Sequence, residues 1–162
     1  MIKAIMAVDD EGGVSKNGSM PWPKNLNDLK WFKNHTLNQV VVMGRLTWED
    51  PLMPTPLKGR TNIIISSKNK SEFPGADEYI SDNLIQNFKE ISNKYNNLDK
   101  FIIGGPNILN QLFNLVQEFY LTRIYGNFNC DKKIDINIIK KNMKLKNTIR
   151  SDDTCHFEVW TK

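Results

Sequence analysis

An acidic side chain stands among apolar ones near the N-terminus, in the segment Asn27-Asp28-Leu29-Lys30-Trp31-Phe32. If this segment is helical, Asp28, Phe32 and His35 lie on roughly one face, because residues three and four apart are neighbours on a helix. A carboxylate on such a face is either a surface residue or a buried acid, and a buried acid needs hydrogen-bonding partners. Buried acids are candidates for functional sites. His35, at the helix end, is expected to be a cap or to be solvated.

Two predicted strands end in glycine turns that lead into helices. Their sequences are Val40-Val41-Val42-Met43-Gly44-Arg45-Leu46-Thr47 and Phe101-Ile102-Ile103-Gly104-Gly105-Pro106-Asn107. Ligands of open α/β sheets bind where strands end, and free N–H groups at a helix N-terminus favour an anion. Two such turns could hold a pyrophosphate, with Arg45 adding charge and Thr47 a hydroxyl.

A third strand end, Ile65-Ser66-Ser67-Lys68, offers hydroxyls and an ammonium to a further phosphate. Each feature alone has an ordinary explanation as a turn or a surface charge, and the chain has no GxGxxG fingerprint. Together the three strand ends favour a phosphorylated nucleotide.

The segment Gly12-Gly13-Val14-Ser15-Lys16-Asn17-Gly18-Ser19-Met20 precedes a Pro21-Trp22-Pro23 brace. Flexible residues before a rigid end are typical of a mobile active-site loop. The alternative is an ordinary glycine-rich surface loop, and the neighbouring Asp28 segment favours the functional interpretation. With His35 and His156 as the only histidines, the sequence contains no Ser/His/Asp set and no metal-binding cluster. Cys130 and Cys155 are expected to be free thiols.

The elements that must position these residues alternate along the chain. Short Val/Ile-rich runs predict strands over 2–8, 39–43, 61–65, 101–103, 120–124 and 157–161, and helical periodicity predicts helices over 26–35, 82–95 and 106–116. This order indicates an α/β protein with a central, mostly parallel sheet, an antiparallel C-terminal edge and about four flanking helices. Residues 1–162 are expected to form a single domain.

Composition narrows the function classes. An apolar content of 40% with 25% charged residues excludes disordered and fibrous classes. No apolar run approaches the length of a membrane span, and the first ten residues make a poor signal peptide, so a cytoplasmic location is expected. The net charge of +4 suits anionic small molecules. The lysines of segment 132–153 are interpreted as a solvated face rather than a nucleic-acid surface.

Several motifs together resemble the dihydrofolate reductase family. They run collinearly to Thr122 and, beyond the turns above, comprise Gly18-Ser19-Met20-Pro21-Trp22, Asp28-Leu29-Lys30-Trp31-Phe32, Thr47-Trp48-Glu49, Pro56-Leu57-Lys58-Gly59-Arg60 and Tyr120-Leu121-Thr122. The resemblance implies reduction of dihydrofolate to tetrahydrofolate with NADPH, for one-carbon metabolism and thymidylate synthesis. It also implies antifolate inhibitors as ligands, and we expect a monomer.

The resemblance also assigns residues to the substrate. Asp28 would bind the pterin through two hydrogen bonds, Thr122 would bond to that carboxylate, Trp22 would help to hold a water near the ring, and Met20 would belong to the same catalytic set. Arg60 would pair with the glutamate carboxylate, and Leu57 would pack along the aminobenzoyl group. The remaining apolar walls would be Ile5, Met6, Ala7, Leu29, Phe32 and Ile103. Hydride would pass to C6 while N5 gains a proton, which a water admitted by loop 12–20 would deliver; Asp28 would only raise the basicity of the ring.

For the cofactor, the resemblance implies a cis peptide between Gly104 and Gly105 beside the nicotinamide and pyrophosphate. The residues implied around NADPH are Ala7, Gly18, Gly44, Arg45, Leu46, Thr47, Ser66, Ser67, Lys68, Ile103, Gly104, Gly105, Pro106 and Asn107.

The chain departs from the family pattern at several positions. Leu46 and Asn107 stand where some members have basic residues, Leu109 replaces a frequent tyrosine, and Ser15 replaces a common glycine. Selectivity for NADPH over NADH is therefore expected to rest on Arg45, Ser66, Ser67 and Lys68. Two alternatives remain: a pyrimidine reductase of riboflavin synthesis on the same fold, and a non-catalytic pterin- or nucleotide-binding protein.

Overall fold

Ten strands and five α-helices follow one another in the computed structural model, which describes all 162 residues. The strands are β1 (Ile2–Val8), β2 (Gly13–Ser15), β3 (Val40–Gly44), β4 (Thr61–Ile65), β5 (Glu78–Ile80), β6 (Lys100–Gly104), β7 (Glu118–Ile124), β8 (Lys132–Lys133), β9 (Lys144–Arg150) and β10 (Cys155–Thr161). The helices are α1 (Leu26–Thr36), α2 (Arg45–Trp48), α3 (Leu84–Lys94), α4 (Pro106–Leu112) and α5 (Ile136–Asn142), with 3-10 turns at Lys70–Glu72 and Phe113–Leu115.

Eight strands form one sheet in the order β5-β4-β3-β6-β1-β7-β10-β9. Every pair from β5 to β7 is parallel, whereas β10 pairs antiparallel with both β7 and β9. Strands β3 and β6 are buried along their whole length, which explains their nearly continuous Val/Ile runs, because parallel strands are covered on both faces. The predicted fold class is confirmed.

Side chains alternate between two apolar layers, as the period of a strand requires. In β1, Ala4, Met6 and Val8 belong to the larger core, together with Phe88 of α3 and Leu112 of α4. Ile5 belongs to the second core, on the face where Trp31 and Phe32 of α1 pack. Helix α1 is therefore held against the sheet beside the carboxyl ends of its central strands.

The C-terminal segment differs most from expectation. About four helices are expected from the sequence pattern, but there are five, and the additional helix is α5 in the lysine-rich segment. Asp135 caps it by accepting a hydrogen bond from the Asn137 N–H. Strand β9 follows as the outer edge of the sheet, with all seven residues exposed.

Both cysteines are free and buried. No helix of the structure is both long and apolar enough to cross a bilayer.

Candidate active site

Asp28 is a buried acid, as one of the two sequence interpretations required. Asn25 caps α1 by accepting a hydrogen bond from the Asp28 N–H at 3.0 Å, which places the carboxylate in the first turn of the helix. The Thr122 hydroxyl on β7 donates to Asp28 Oδ1 at 2.7 Å. The predicted contact between Asp28 and Thr122 is therefore present, although the two residues are 94 positions apart.

The electrostatics of Asp28 follow from its surroundings. Its side chain is only 9% exposed, and burial raises the pKa of the carboxyl above its ordinary value, while the Thr122 hydrogen bond opposes the rise. Asp28 Oδ2 accepts no hydrogen bond from the protein and is not fully enclosed. The free oxygen can therefore accept hydrogen bonds from a ligand.

Apolar side chains surround this acid on the sheet side. Ile5, Leu57 and Ile103 lie in the second core, and Phe32 packs against them. Leu29 is 39% exposed at the mouth of the site. We refer to the face formed by these apolar residues and by Asp28 of α1 as the trough; its apolar surface and single carboxylate suit a flat heteroaromatic ring.

The expectation for His35 was wrong. The centre of its ring lies 4.3 Å from that of Trp31 and 4.6 Å from that of Tyr120. The helix end is capped instead by the Leu37 N–H, which donates to the Lys33 carbonyl. Burial and the nearby Lys3 ammonium lower the pKa of His35. The histidine is thus part of the aromatic packing behind α1 and has no contact with Asp28.

Arg60 lies at the outer end of the trough, with its guanidinium carbon 5.8 Å from the centre of the Phe32 ring. Its Nε donates to Thr36 Oγ1 at 3.2 Å and its Nη1 to the Lys58 carbonyl at 2.8 Å. The remaining guanidinium N–H groups are free for a carboxylate, the anion whose shape the guanidinium fork matches.

Asn62 is a functional candidate that the sequence interpretation missed. It is buried in β4, and its side chain exchanges hydrogen bonds with the Leu57 N–H and carbonyl and donates to the Arg60 carbonyl. It therefore fixes the segment that carries Leu57 and Arg60. The available signal was an amide within the apolar run of β4, since a buried amide must find partners.

A cleft of about 1110 Å³ runs along the carboxyl ends of the strands. All the predicted cofactor residues except Lys68 line it, as do Met6 and Met20 from the predicted substrate and catalytic sets. The β3–α2 and β6–α4 turns meet there because β3 and β6 are adjacent in the sheet. Lys68 lies beyond the rim, where its N–H donates to Ser66 Oγ at 3.1 Å.

Glycine is required at the β6–α4 turn. Gly104 has φ +143°, and a Cβ there would lie 2.8 Å from the Thr47 hydroxyl oxygen. Nothing lies within 4 Å of the corresponding position at Gly105, so a ligand can approach the backbone. The Gly104–Gly105 peptide is cis, as predicted. Together with the volume of the cleft and the hydroxyls of Ser66 and Ser67, this bare backbone fits an extended dinucleotide.

The loop over this cleft is attached at several points. Asn17 N–H donates to Asp131 Oδ2 at 2.9 Å, Ser19 Oγ donates to Asp50 Oδ1 at 2.9 Å, and β2 within the loop pairs with β8. Trp22, at the base of the loop, is packed among Ile124, Cys130, Cys155 and Phe157. Met20 is thereby held at the edge of the cleft.

Asp9 anchors the start of the loop and was also missed. It is 1% exposed; Oδ1 accepts from the N–H groups of Glu11 and Gly13, and Oδ2 accepts from the Phe128 N–H. Cys130 Sγ lies 3.6 Å from Oδ2. One carboxylate thus joins loop 12–20 to segment 126–131. An acid immediately after a buried strand was the only signal in the sequence.

Comparisons with known proteins agree with this arrangement. A family model described as dihydrofolate reductase matches residues 1–159. A putative dihydrofolate reductase of Caenorhabditis elegans is 32% identical over 169 residues, covering 95% of this chain and 88% of the relative. The dihydrofolate reductase of Bacillus subtilis is 31% identical over 82% of this chain and 74% of its own. A solved dihydrofolate reductase from Enterococcus faecalis, complexed with NADP(H) and RAB-propyl, has a TM-score of 0.83 at 26% identity, covering 99% of this chain and 95% of that one.

Proposed function

This chain belongs to the dihydrofolate reductase family, and from that membership we propose that it reduces 7,8-dihydrofolate to 5,6,7,8-tetrahydrofolate with NADPH. Such an activity supports one-carbon metabolism and thymidylate synthesis. The observation that carries the proposal is the buried Asp28–Thr122 pair, on the face of the sheet whose apolar side chains include Ile103, which also lines the dinucleotide-sized cleft.

The protein's first task is to orient the pterin. The Thr122 hydroxyl donates to one oxygen of Asp28, and the other oxygen accepts no hydrogen bond within the protein. A carboxylate placed this way accepts hydrogen bonds from the 2-amino group and the adjacent ring nitrogen. Phe32, Ile5 and Ile103 hold the ring flat against the mouth of the cleft, while Arg60 binds the glutamate carboxylate at the far end.

The cofactor's residues fit NADPH. When bound, NADPH supplies the hydride that reduces C6. The turns at Gly44–Thr47 and Gly104–Asn107 would hold the pyrophosphate with backbone N–H groups, and Arg45, Ser66 and Ser67 would hold the phosphate that distinguishes NADPH from NADH. Arg45 is partly engaged, because its Nη1 donates to Glu49 at 2.9 Å. Leu46 is 53% exposed and offers no hydrogen bond.

The remaining chemistry is delivery of a proton to N5. Asp28 lies at the opposite side of the ring from N5 in this orientation, so it does not donate directly. Its negative charge raises the basicity of the ring, and the Met20 loop admits the water that carries the proton. Trp22 and Met20 form the wall that controls this access.

We further propose that residues 1–162 act as one domain, as a monomer in the cytoplasm, and that antifolates compete with dihydrofolate at Asp28. No nucleic-acid or membrane partner is proposed. The lysine-rich segment is divided among β8, α5 and β9 and forms no continuous platform for nucleic acid.

The proposed function is tested by mixing the purified protein with NADPH and dihydrofolate and following the loss of reduced-nicotinamide absorbance. We expect turnover with NADPH. A complete lack of turnover in a folded sample would refute the enzymatic proposal and favour a non-catalytic binding protein. Reduction of an aminopyrimidine riboflavin precursor in preference to dihydrofolate would support the alternative reductase.

A further inference from the structure

Acidic residues outnumber basic ones in the lining of the cofactor cleft. Among the residues that line it, Asp50, Asp82 and Asp131 are acidic, and only Arg45 and Lys132 are basic. Arg45 is paired with Glu49 at 2.9 Å. Lys132 has no ion pair and no side-chain hydrogen bond within the protein, so it is the one unengaged cation at the cleft.

The backbone of Lys132 is fixed by the active-site loop. β8 consists of Lys132 and Lys133 alone and pairs antiparallel with β2, with Lys132 opposite Ser15 and Lys133 opposite Gly13. The Asp131 N–H donates to the Ser15 carbonyl at 3.1 Å and the Ile134 N–H donates to the Gly12 carbonyl at 2.9 Å. These bonds flank Lys132 on both sides.

The two lysines of β8 differ in their surroundings, as expected for neighbours on a strand. Lys132 lines the cleft together with Ser15, Gly18 and Met20, whereas Lys133 does not. Burial raises the pKa of the Cys130 thiol to about 11, and the Lys133 ammonium is close enough to oppose that rise. Lys133 thus lies near Cys130 and does not line the cleft.

We propose that Lys132 is a further cofactor-binding residue, whose ammonium pairs with the pyrophosphate of the dinucleotide at the loop end of the cleft. This inference rests on the proposed function, because it assumes that the cleft takes NADPH. It also assigns a role to one member of the lysine-rich segment.

The order of the strands favours the pyrophosphate, rather than the 2′-phosphate, as the group that pairs with Lys132. Ser66 and Ser67 follow β4, which lies three strands from β1, the strand that precedes the loop. At about 4.8 Å per strand, that separation is about 14 Å. The β6–α4 turn follows the strand adjacent to β1, so a pyrophosphate held there is the nearer anion.

The test measures dissociation constants of NADPH and NADH by titration of protein fluorescence, with no substrate present. We expect Lys132→Ala to weaken the binding of both dinucleotides by about two- to fivefold at low ionic strength, as suits one exposed charge pair. The loss should shrink in about 0.5 M salt, because exposed charges are screened. Lys132→Gln provides a second neutral variant, and thermal melting verifies that each variant folds.

Lys133→Ala is the matched control, since it removes the same charge from the same strand, and it should bind both dinucleotides as the wild type does. Equal constants for Lys132→Ala and the wild type would overturn the inference, as would equal losses in both lysine variants, which would indicate only net charge. A loss confined to NADPH would also overturn it, because the contact would then be with the 2′-phosphate. Failure of the wild type itself to bind NADPH would instead refute the proposed function.

Discussion

Asp28 is placed where function and stability oppose each other. Burial raises its pKa, with partial compensation by Thr122, so folding disfavours the charged form of this side chain. The resulting loss of folding stability is fully present above the folded-state pKa of Asp28 and disappears as the pH falls below the ordinary value of 3.8. When Asp28 is ionised, the ligand-free protein therefore holds a buried charge whose only hydrogen bond within the protein comes from Thr122.

We predict that Asp28→Asn makes the ligand-free protein more stable at pH 7, raising the midpoint of thermal unfolding by a few degrees. The same substitution should lower kcat/KM by about 100-fold or more, because it removes the charge that polarises the ring. Melting curves between pH 3 and 8 should show the gain in stability vanishing at the acidic end. A variant that is less stable at pH 7 would contradict the buried-charge account.

The Thr122 hydroxyl stabilises the ionised form of Asp28. Thr122→Val should therefore raise the pKa of Asp28 further, as NMR titration of the labelled carboxyl can measure directly. Thr148→Val, on the exposed strand β9, is the control and should leave that pKa unchanged. An unchanged pKa in Thr122→Val would show that the hydrogen bond contributes nothing to the charge on Asp28.

Arg60 provides a test of the orientation of the substrate. Arg60→Leu removes the guanidinium but keeps an apolar stem beside Phe32, so it should weaken dihydrofolate binding by about tenfold or more while hardly changing NADPH binding. Dissociation constants of dihydrofolate and of NADPH, measured separately for the variant and the wild type, test this prediction. Equal losses for both would mean that Arg60 does not face the glutamate tail.

At the scale of single residues, sequence analysis detected those whose type is unusual for their position. Asp28 on an apolar face and glycines after strands were detected because each breaks a local pattern. Asn62, Asp9 and Lys132 were missed for a physical reason: their partners are backbone groups, or a cleft, brought together only by the tertiary fold. The Thr122 contact came from family resemblance, because nothing local links a threonine on β7 to α1.

At the scale of elements, the active-site loop depends on the Asp9 carboxylate. Burial alone would raise its pKa, but the N–H groups of Phe128, Gly13 and Glu11 outweigh burial and lower it. A lowered pKa means that Asp9 stabilises the fold above the ordinary value of 3.8 and loses this effect as the pH falls through its folded-state value.

We predict that Asp9→Asn destabilises the protein at neutral pH by about 1–3 kcal/mol, because an amide can accept only some of these hydrogen bonds. It should also reduce turnover by loosening the loop that holds Met20. The control is Asp10→Asn, since the exposed Asp10 carboxylate accepts a hydrogen bond from the Gly126 N–H, in the same segment 126–131. Urea unfolding and steady-state kinetics of both variants test the prediction; identical behaviour would contradict the special role of Asp9.

The elements found from the sequence were those with a strong internal pattern. β1 and β4 have the predicted bounds because each is mainly apolar, with Lys3 in β1 and Thr61 and Asn62 in β4 as the exceptions, and each ends immediately before a polar residue. β2, β5, β8 and β9 were not predicted: the first three are only two or three residues long, and β9 is exposed along its whole length, so burial imposes no alternation on it. Helix α5 is short and lysine-rich, and its apolar face is evident only against the sheet.

At the scale of the whole molecule, the order of the strands brings the two proposed ligand sites together. β3 and β6 are neighbours, and β1 stands between β6 and β7, so the cofactor turns lie on one side of β1 and Thr122 on the other. The pterin trough and the dinucleotide cleft therefore share Ile103, which belongs to the second core and also lines the cleft. The fold class could be predicted from the order of helices and strands along the chain. The order of the strands within the sheet could not, because it depends on pairing between distant segments.

The central claim is that these two sites join so that a hydride passes directly to C6 of the pterin. The most direct test is a single turnover with dihydrofolate and NADPH deuterated at the transferable position of the nicotinamide, followed by NMR of the product. We predict one deuterium at C6 of tetrahydrofolate, formed rapidly by the wild type and at least about 100-fold more slowly by Asp28→Asn. A product without deuterium at C6, or equal rates for the two proteins, would contradict this account.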